Sequence, residues 1–146
     1  MVKITGAKEH AARLRGLTTP EAKRQIGAAL KRGGDLLAVE AQISITTGAV
    51  SGKGHTPSAA GTPPNNDTGV LADSIAALQF VERKGDIVVR VVADAPYAAA
   101  QEFGNSKLPE RPYMRPAAAK MRDQIKREVG AALNHIAQGG SVVRGK

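Results

Sequence analysis

The residues Gly48, Gly52, Lys53 and Gly54 come closest in this sequence to a phosphate-binding loop. Such a loop needs four residues between its glycines and a Ser or Thr after the lysine, because backbone amides cradle the phosphates and the hydroxyl binds Mg²⁺. Here only three residues separate Gly48 from Gly52, and a glycine follows Lys53. The segment also follows a predicted helix, whereas the motif follows a strand. We therefore expect no nucleotide site.

No other group of reactive residues forms a recognisable constellation. His10, His55 and His135 are not paired at the spacing of metal ligands. None of the serines lies in a Gly-x-Ser-x-Gly context. Glu102 and Glu110 would be candidates for a carboxylate pair, but no aromatic platform for a sugar accompanies them. We expect no catalytic residue, no cofactor, no metal and no enzymatic activity.

Composition limits the size of the core. The chain has 146 residues, the length of one domain, and no Cys, which excludes disulfide scaffolds, thiol enzymes and zinc sites built on Cys. Val, Ile, Leu and Phe together number 31, or 21% of the chain, whereas Ala alone contributes 25 residues. That fraction is just above the ~20% below which a charged chain tends to be disordered. We expect a thin core that is completed on a partner.

The net charge of +8 is confined to the two ends of the sequence. Residues 1–47 carry eight bases and four acids, residues 120–146 carry six bases and two acids, and the part between them sums to zero. Because Lys and Arg neutralise phosphates, a small non-specific nucleic-acid-binding protein is the alternative function. The competing interpretation is a solvated basic helix face. No apolar run is long enough for a membrane span and no secretory signal is read, so we expect a cytoplasmic protein or a particle assembled there.

Helical patterns dominate the first third of the chain. A short helix is predicted over 6–15, and a long one over 20–46, with Thr19 as its N-cap and proline at its first position. Gly33 and Gly34 interrupt the long helix, so either it bends there or another part of the chain approaches it closely.

The middle of the chain predicts a β-hairpin. Residues 74–82 and 86–93 are rich in strand-forming residues and are separated by turn chemistry. Alternation along the first strand places Ala76, Leu78 and Phe80 on one face.

The other segments complete a predicted α+β fold, in which the long N-terminal helix and a C-terminal helix pack on a small antiparallel sheet centred on the hairpin. Residues 2–5 alternate like an edge strand, and the Gly- and Pro-rich loop 48–66 is predicted to be mobile. We expect one domain over 1–138, with that loop inserted, and a flexible tail over 139–146.

Two further helices are expected after the hairpin, and a single helical turn before it. Thr68 is a candidate cap for that turn, Tyr97 to Phe103 form a short helix ended by Gly104, and Pro116 starts a helix that continues to about residue 137.

Residues 94–116, which we call the corner, concentrate aromatic, proline and charged residues. Because aromatic side chains dominate small cores, Tyr97, Phe103 and Met114 are interpreted as core residues. The polar remainder suits an interface.

Four segments, in order, resemble a known family: VKITGAKEHAARLRGL, TGVLADSI before the hairpin, APYAAAQEFG, and RPYMRPA into the last helix. The chain resembles the minor tail component, or tail-completion, family of long-tailed lambdoid-type phages and prophages. The likeness covers nearly the whole chain.

The resemblance implies a non-enzymatic virion protein of the head–tail junction, or neck, assembled in the bacterial cytoplasm. It implies a homo-oligomeric ring, with a hexamer favoured, between the head-side connector or stopper and the tail tube or tail terminator. Non-specific contact with DNA in the channel is a further expected interaction. The signature positions, which are also the candidate interface residues, are Thr68, Gly69, Leu71, Tyr97, Glu102, Phe103, Gly104, Arg111, Pro112, Tyr113, Arg115 and Pro116.

Overall fold

Five helices and two strands follow one another in a computed structural model, which describes residues 6–81 and 84–140. The predicted edge strand 2–5 and the tail residues 141–146 lie outside the described residues. The α+β class and the hairpin between two long helices are confirmed. The elements are α1 Ala7–Gly16, α2 Pro20–Thr46, α3 Val70–Asp73, β1 Ile75–Val81, β2 Ile87–Ala93, α4 Ala98–Phe103 and α5 Met114–Ala137.

The long helix α2 begins where its capping sequence predicts. The Thr19 hydroxyl accepts a hydrogen bond from the Ala22 amide at 3.1 Å, and Pro20 occupies the first helical position. That amide has no acceptor within the helix, so the Thr19 side chain satisfies it.

Gly33 and Gly34 mark close approach, and α2 continues through them to Thr46. A Cβ atom on Gly33 would lie 2.9 Å from Ile125 Cγ2 of α5. One on Gly34 would lie 2.6 Å from Val89 Cγ1 of β2 and 3.0 Å from Ala77 Cβ of β1. The two glycines therefore let α2 pack against the last helix on one side and beneath both strands on the other.

The hairpin is antiparallel and regular, with Ile75 opposite Ala93 and Val81 opposite Ile87. Ile75 and Ala77 are buried against the helices, whereas Leu78 is 43% exposed. The face that carries Ala76 and Leu78 is thus the outer one. The inner face continues the buried side of α3, because Leu71 and Ala72 of that helix are buried shortly before Ile75 in the chain.

The core is built mainly from alanine. Among the described residues, ten of the sixteen buried apolar side chains are Ala, and the two largest that are fully buried are Tyr113 and Ile45. This agrees with the thin core expected from composition. No helix in the described ranges is both long and apolar enough to cross a lipid bilayer.

Two predicted helix starts are wrong by a few residues. The last helix begins at Met114 rather than Pro116, because a side chain from α4 caps its first turn. Proline is tolerated there, since first-turn amides have no intrahelical acceptor to lose. The single turn α3 starts after Gly69, whose φ is +85°, and Thr68 does not cap it.

Candidate interaction site

The carboxylate of Glu102 caps α5 from the neighbouring helix α4. It accepts hydrogen bonds from the backbone amides of Tyr113, Met114 and Arg115 at 2.8, 2.9 and 3.0 Å. These amides lie at the positive end of the helix dipole, where a carboxylate is favoured. Glu102 is only 4% exposed, and a buried charge needs such partners to offset the loss of hydration. It fixes the angle between α4 and α5.

Arg115 encloses the carboxylate from the solvent side. Its Nε donates to Glu102 Oε1 at 3.0 Å, and its Nη2 donates both to the Glu102 carbonyl and to Glu110 Oε2 at 2.8 Å. Glu102 and Glu110, considered from sequence as a carboxylate pair, are therefore joined through one guanidinium. The hydrogen bonds to Glu110 and Glu102 raise the pKa of Arg115.

The ionisation of Glu102 follows from these contacts. Burial acts to raise the pKa of its carboxyl, but the hydrogen bonds from the three amides and from Arg115 outweigh burial, and the pKa is lowered. A general acid of the glycosidase type needs a raised pKa instead. Burial, with the nearby charge of Glu102, raises the pKa of Tyr113 to about 12. The lowered pKa of Glu102 favours its ionised form, which is the form that accepts hydrogen bonds from the amides of α5 and from Arg115.

Gly104 ends α4 in a conformation that other residues rarely adopt. Its φ is +70°, and an added Cβ would lie 2.8 Å from the Glu110 amide nitrogen and 3.0 Å from the Leu108 carbonyl oxygen. The side chain of Asn105 then closes the turn by accepting from the amides of Lys107 and Leu108, both at 2.9 Å. The loop consequently folds back tightly onto the end of α4.

This framework presents apolar side chains to solvent. Phe103 is 66% exposed, with the Arg115 guanidinium 5.3 Å from its ring centroid, and Tyr97 and Leu108 are 41% and 42% exposed. The interpretation of Tyr97 and Phe103 as core residues is wrong, and Met114 is only partly buried against the core. Tyr113, which is 1% exposed, supplies the buried aromatic ring instead.

The loop 48–66 is connected to the corner by hydrogen bonds. The Nε of Arg111 donates to the Ser58 carbonyl at 3.0 Å, and Arg111 is itself fixed within the corner by its amide, which donates to the Gln101 carbonyl at 2.7 Å. The Gly61 amide donates to the Glu110 carbonyl at 2.9 Å. The predicted mobility of the loop stays a prediction, and these bonds are the contacts that exchange measurements would probe.

The signature residues before the hairpin serve the fold. Leu71 is 5% exposed in the main core cluster. The amide of Gly69, which precedes α3, donates to the Asn66 side chain at 3.1 Å, and Thr68 is exposed.

The twelve signature positions thus separate into four groups, the first of which is Thr68, Gly69 and Leu71 before the hairpin. Glu102, Gly104, Arg111, Arg115 and Tyr113 build the corner, and Tyr97 and Phe103 are presented by it. Pro112 is half-buried in the connection to α5, and Pro116 is exposed in its first turn.

Sequence reasoning selected Glu102 but did not assign it the cap of a distant helix. It also missed Asn105 and Ser58. Asn before a short loop is a signal for a side-chain turn, whereas a backbone carbonyl such as that of Ser58 carries no sequence signal.

A family model described as "Bacteriophage HK97-gp10, putative tail-component" matches residues 8–104. The match spans most of the chain and ends at the glycine that closes α4. It therefore includes the APYAAAQEFG segment but not RPYMRPA. Neither the curated proteins nor the solved structures compared with the chain give a match.

The protein belongs to the HK97-gp10-like family of phage tail components. The phage tail family expected from the sequence is confirmed.

Proposed function

We propose that this protein is a structural subunit of the head–tail junction, which completes the tail as a homo-oligomeric ring between the head-side connector and the tail tube. Its membership of a tail-component family supports a place in the virion. The observation that carries the finer proposal is the corner. There Phe103 is two-thirds exposed although the backbone around it is held by the Glu102 and Arg115 hydrogen bonds.

A rigid, exposed aromatic side chain suits a protein contact, because its ordering entropy is already lost before binding. A large ring at the centre of an interface contributes more than most residues around it. In a ring, the same patch of each copy meets a different patch of the next copy, so a subunit with a thin core of its own is completed by its neighbours. The number of copies, with a hexamer favoured, belongs to this proposal.

The test uses the phage or prophage that encodes the chain. Deletion of the gene should give separate heads and tails by electron microscopy, and complementation with the wild-type gene should restore joined particles. Phe103→Asp should fail to complement although the purified variant folds. Leu14→Asp, which alters another exposed apolar residue, 53% exposed on α1, is the matched control and should complement. Normal infectious particles from the deletion would contradict the proposal.

Contact with DNA is a second proposed property, which concerns the basic ends. Helix α1 packs against α5, so the exposed bases Lys8, Arg13 and Arg15 lie on a helix in contact with the one that carries Lys126 and Arg127. Phosphate contacts of this kind predict duplex binding without sequence preference that weakens steeply with salt. Absence of binding at about 50 mM salt would exclude this property and leave the ring proposal untouched.

A further inference from the structure

A cavity of about 250 Å³ lies between the loop 48–66 and the corner. Hydrogen bonds from Arg111 Nε to the Ser58 carbonyl and from the Gly61 amide to the Glu110 carbonyl join its two sides. Parts of the chain that are bonded to each other therefore bound the cavity. Most of its wall comes from three residues of the loop and three of the corner, which are Ser58, Pro64, Asn65, Gln101, Leu108 and Arg111.

Two side-chain atoms in this wall have no hydrogen-bond partner among the described residues. They are Ser58 Oγ and Gln101 Oε1, and both are shielded from solvent. Buried polar atoms are almost always paired in folded proteins, because an unpaired one loses its hydration without compensation. A Ser side chain turns about one torsion and a Gln side chain about three, so rotamer changes alone bring both atoms into the cavity. A polar ligand bound there would give both atoms a partner.

Arg111 is the third group of the wall with unused hydrogen-bonding capacity. It is half-buried, its Nε is bonded to the Ser58 carbonyl, and the described residues offer no acceptor to its two terminal nitrogens. Arginine is seldom buried unless it is paired. Its terminal N–H groups form a planar fork that matches the two oxygens of a carboxylate. The ligand that satisfies this wall is therefore a carboxylate with an N–H group beside it for Gln101 Oε1.

We propose that this cavity binds an acidic side chain of a partner protein. The Asp or Glu carboxylate accepts from Arg111 and from the Ser58 hydroxyl, and a backbone amide of the same segment donates to Gln101 Oε1. Leu108 lines the cavity and is 42% exposed, and Tyr97, whose carbonyl accepts from the Gln101 amide, is 41% exposed. A protein segment gains apolar contact with these two side chains, whereas a free small anion does not.

The charges around the cavity favour a single carboxylate over a nucleic acid. Besides His55, Arg111 is the only acidic or basic side chain among the described residues that line it. Glu110, which is paired with Arg115, precedes Arg111 in the chain, and Asp67 lines the adjoining cavity. One cation matches one carboxylate, whereas a nucleic acid would bring several phosphates toward these acids.

A titration of the full-length protein with capped tripeptides tests this assignment. Acetyl-Gly-Asp-Gly-amide supplies the carboxylate and the amides, and acetyl-Gly-Asn-Gly-amide is the uncharged control. At constant ionic strength, the Asp peptide should shift the NMR signals of the Ser58 and Arg111 amides to saturation by about 50 mM, since a ligand of this size binds only weakly. The Asn peptide should bind at least about tenfold more weakly, because it lacks the charge that strengthens the hydrogen bonds.

Gln101→Glu is the most informative variant, because it adds a carboxylate to the wall that Arg111 shares and keeps the backbone hydrogen bond between the two residues. Its carboxylate competes for Arg111 and repels the ligand, so the Asp peptide should bind at least about tenfold more weakly. Gln138→Glu adds the same charge at an exposed position just after α5 and should leave binding unchanged. The signals of the hairpin show whether each variant is folded.

Four results would overturn the proposal. They are the absence of a saturable shift with the Asp peptide, equal binding of the two peptides, unchanged binding in Gln101→Glu, and tighter binding of inorganic phosphate, which would assign the cavity to a phosphate ligand. The inference does not depend on the proposed ring, because the peptides are measured on the separate protein, and a failure of either leaves the other standing.

Discussion

The corner and helix α1 differ sharply in how they are held. In the corner, one buried carboxylate binds three amides and a guanidinium, and the backbone of the following loop folds tightly against α4. Helix α1 has no buried residue and no side-chain cap. The corner is close to neutral, whereas α1 belongs to a basic region. We propose from this difference that specific recognition belongs to the rigid corner and that α1 contributes charge.

Removing the central carboxylate should have the largest effect. Glu102→Ala leaves the first-turn amides of α5 and the Arg115 guanidinium without their acceptor, and we expect the free energy of unfolding to fall by about 3–5 kcal/mol. Urea denaturation measures it. Glu9→Ala, on the exposed surface of α1, should change stability by less than about 0.5 kcal/mol. Equal losses would mean that the two regions are held alike.

A single type of substitution should act in opposite directions at the two regions. Gly104→Ala places a Cβ at positive φ and against the backbone of Glu110, so we expect a loss of about 2–3 kcal/mol. Gly16→Ala adds a methyl at the end of α1, where nothing lies within 4 Å, and should be neutral or stabilise by up to about 1 kcal/mol. Thermal unfolding distinguishes these signs, and a neutral Gly104→Ala would contradict the tight turn.

Acid should weaken the corner in particular. Because the pKa of Glu102 is lower in the folded than in the unfolded chain, its contribution is present above the unfolded pKa and is lost as pH falls through the folded pKa. Stability measured from neutral pH downward should therefore decline below the ordinary Glu range. Glu102→Gln should flatten this decline. An unchanged pH profile in that variant would assign the acid sensitivity to other carboxylates.

Truncating the exposed ring should have the smallest effect on stability. Phe103→Ala removes a side chain that is 66% exposed, so we expect a loss below about 1 kcal/mol, compared with about 3–5 kcal/mol for a buried Phe. Leu14→Ala on α1 should cost as little. If the ring proposal holds, only Phe103→Ala impairs assembly, as measured by the mass of the oligomer in light scattering.

Local signals in the sequence predicted most of the elements. The Thr19 cap, the β-branched run of β2 and Gly104 each act within a few residues of themselves, so the bounds of α2, the hairpin and the end of α4 agree with the structure. The beginning of α5 was misplaced because its cap comes from Glu102, twelve residues earlier than Met114. The exposure of Phe103 was also missed, since the residue type does not distinguish an exposed aromatic side chain such as Phe103 from a buried one such as Tyr113.

The sequence by itself determined the α+β class, the thin alanine-rich core, the distribution of charge and the family resemblance, because composition, periodicity and motif order need no third dimension. Only the tertiary structure decided that Glu102 caps α5, that Tyr113 rather than Phe103 enters the core, and that Gly33 and Gly34 let α2 pack closely against α5 and the hairpin. Those features depend on packing between elements that are distant in sequence, so local patterns do not predict which side chains face inward.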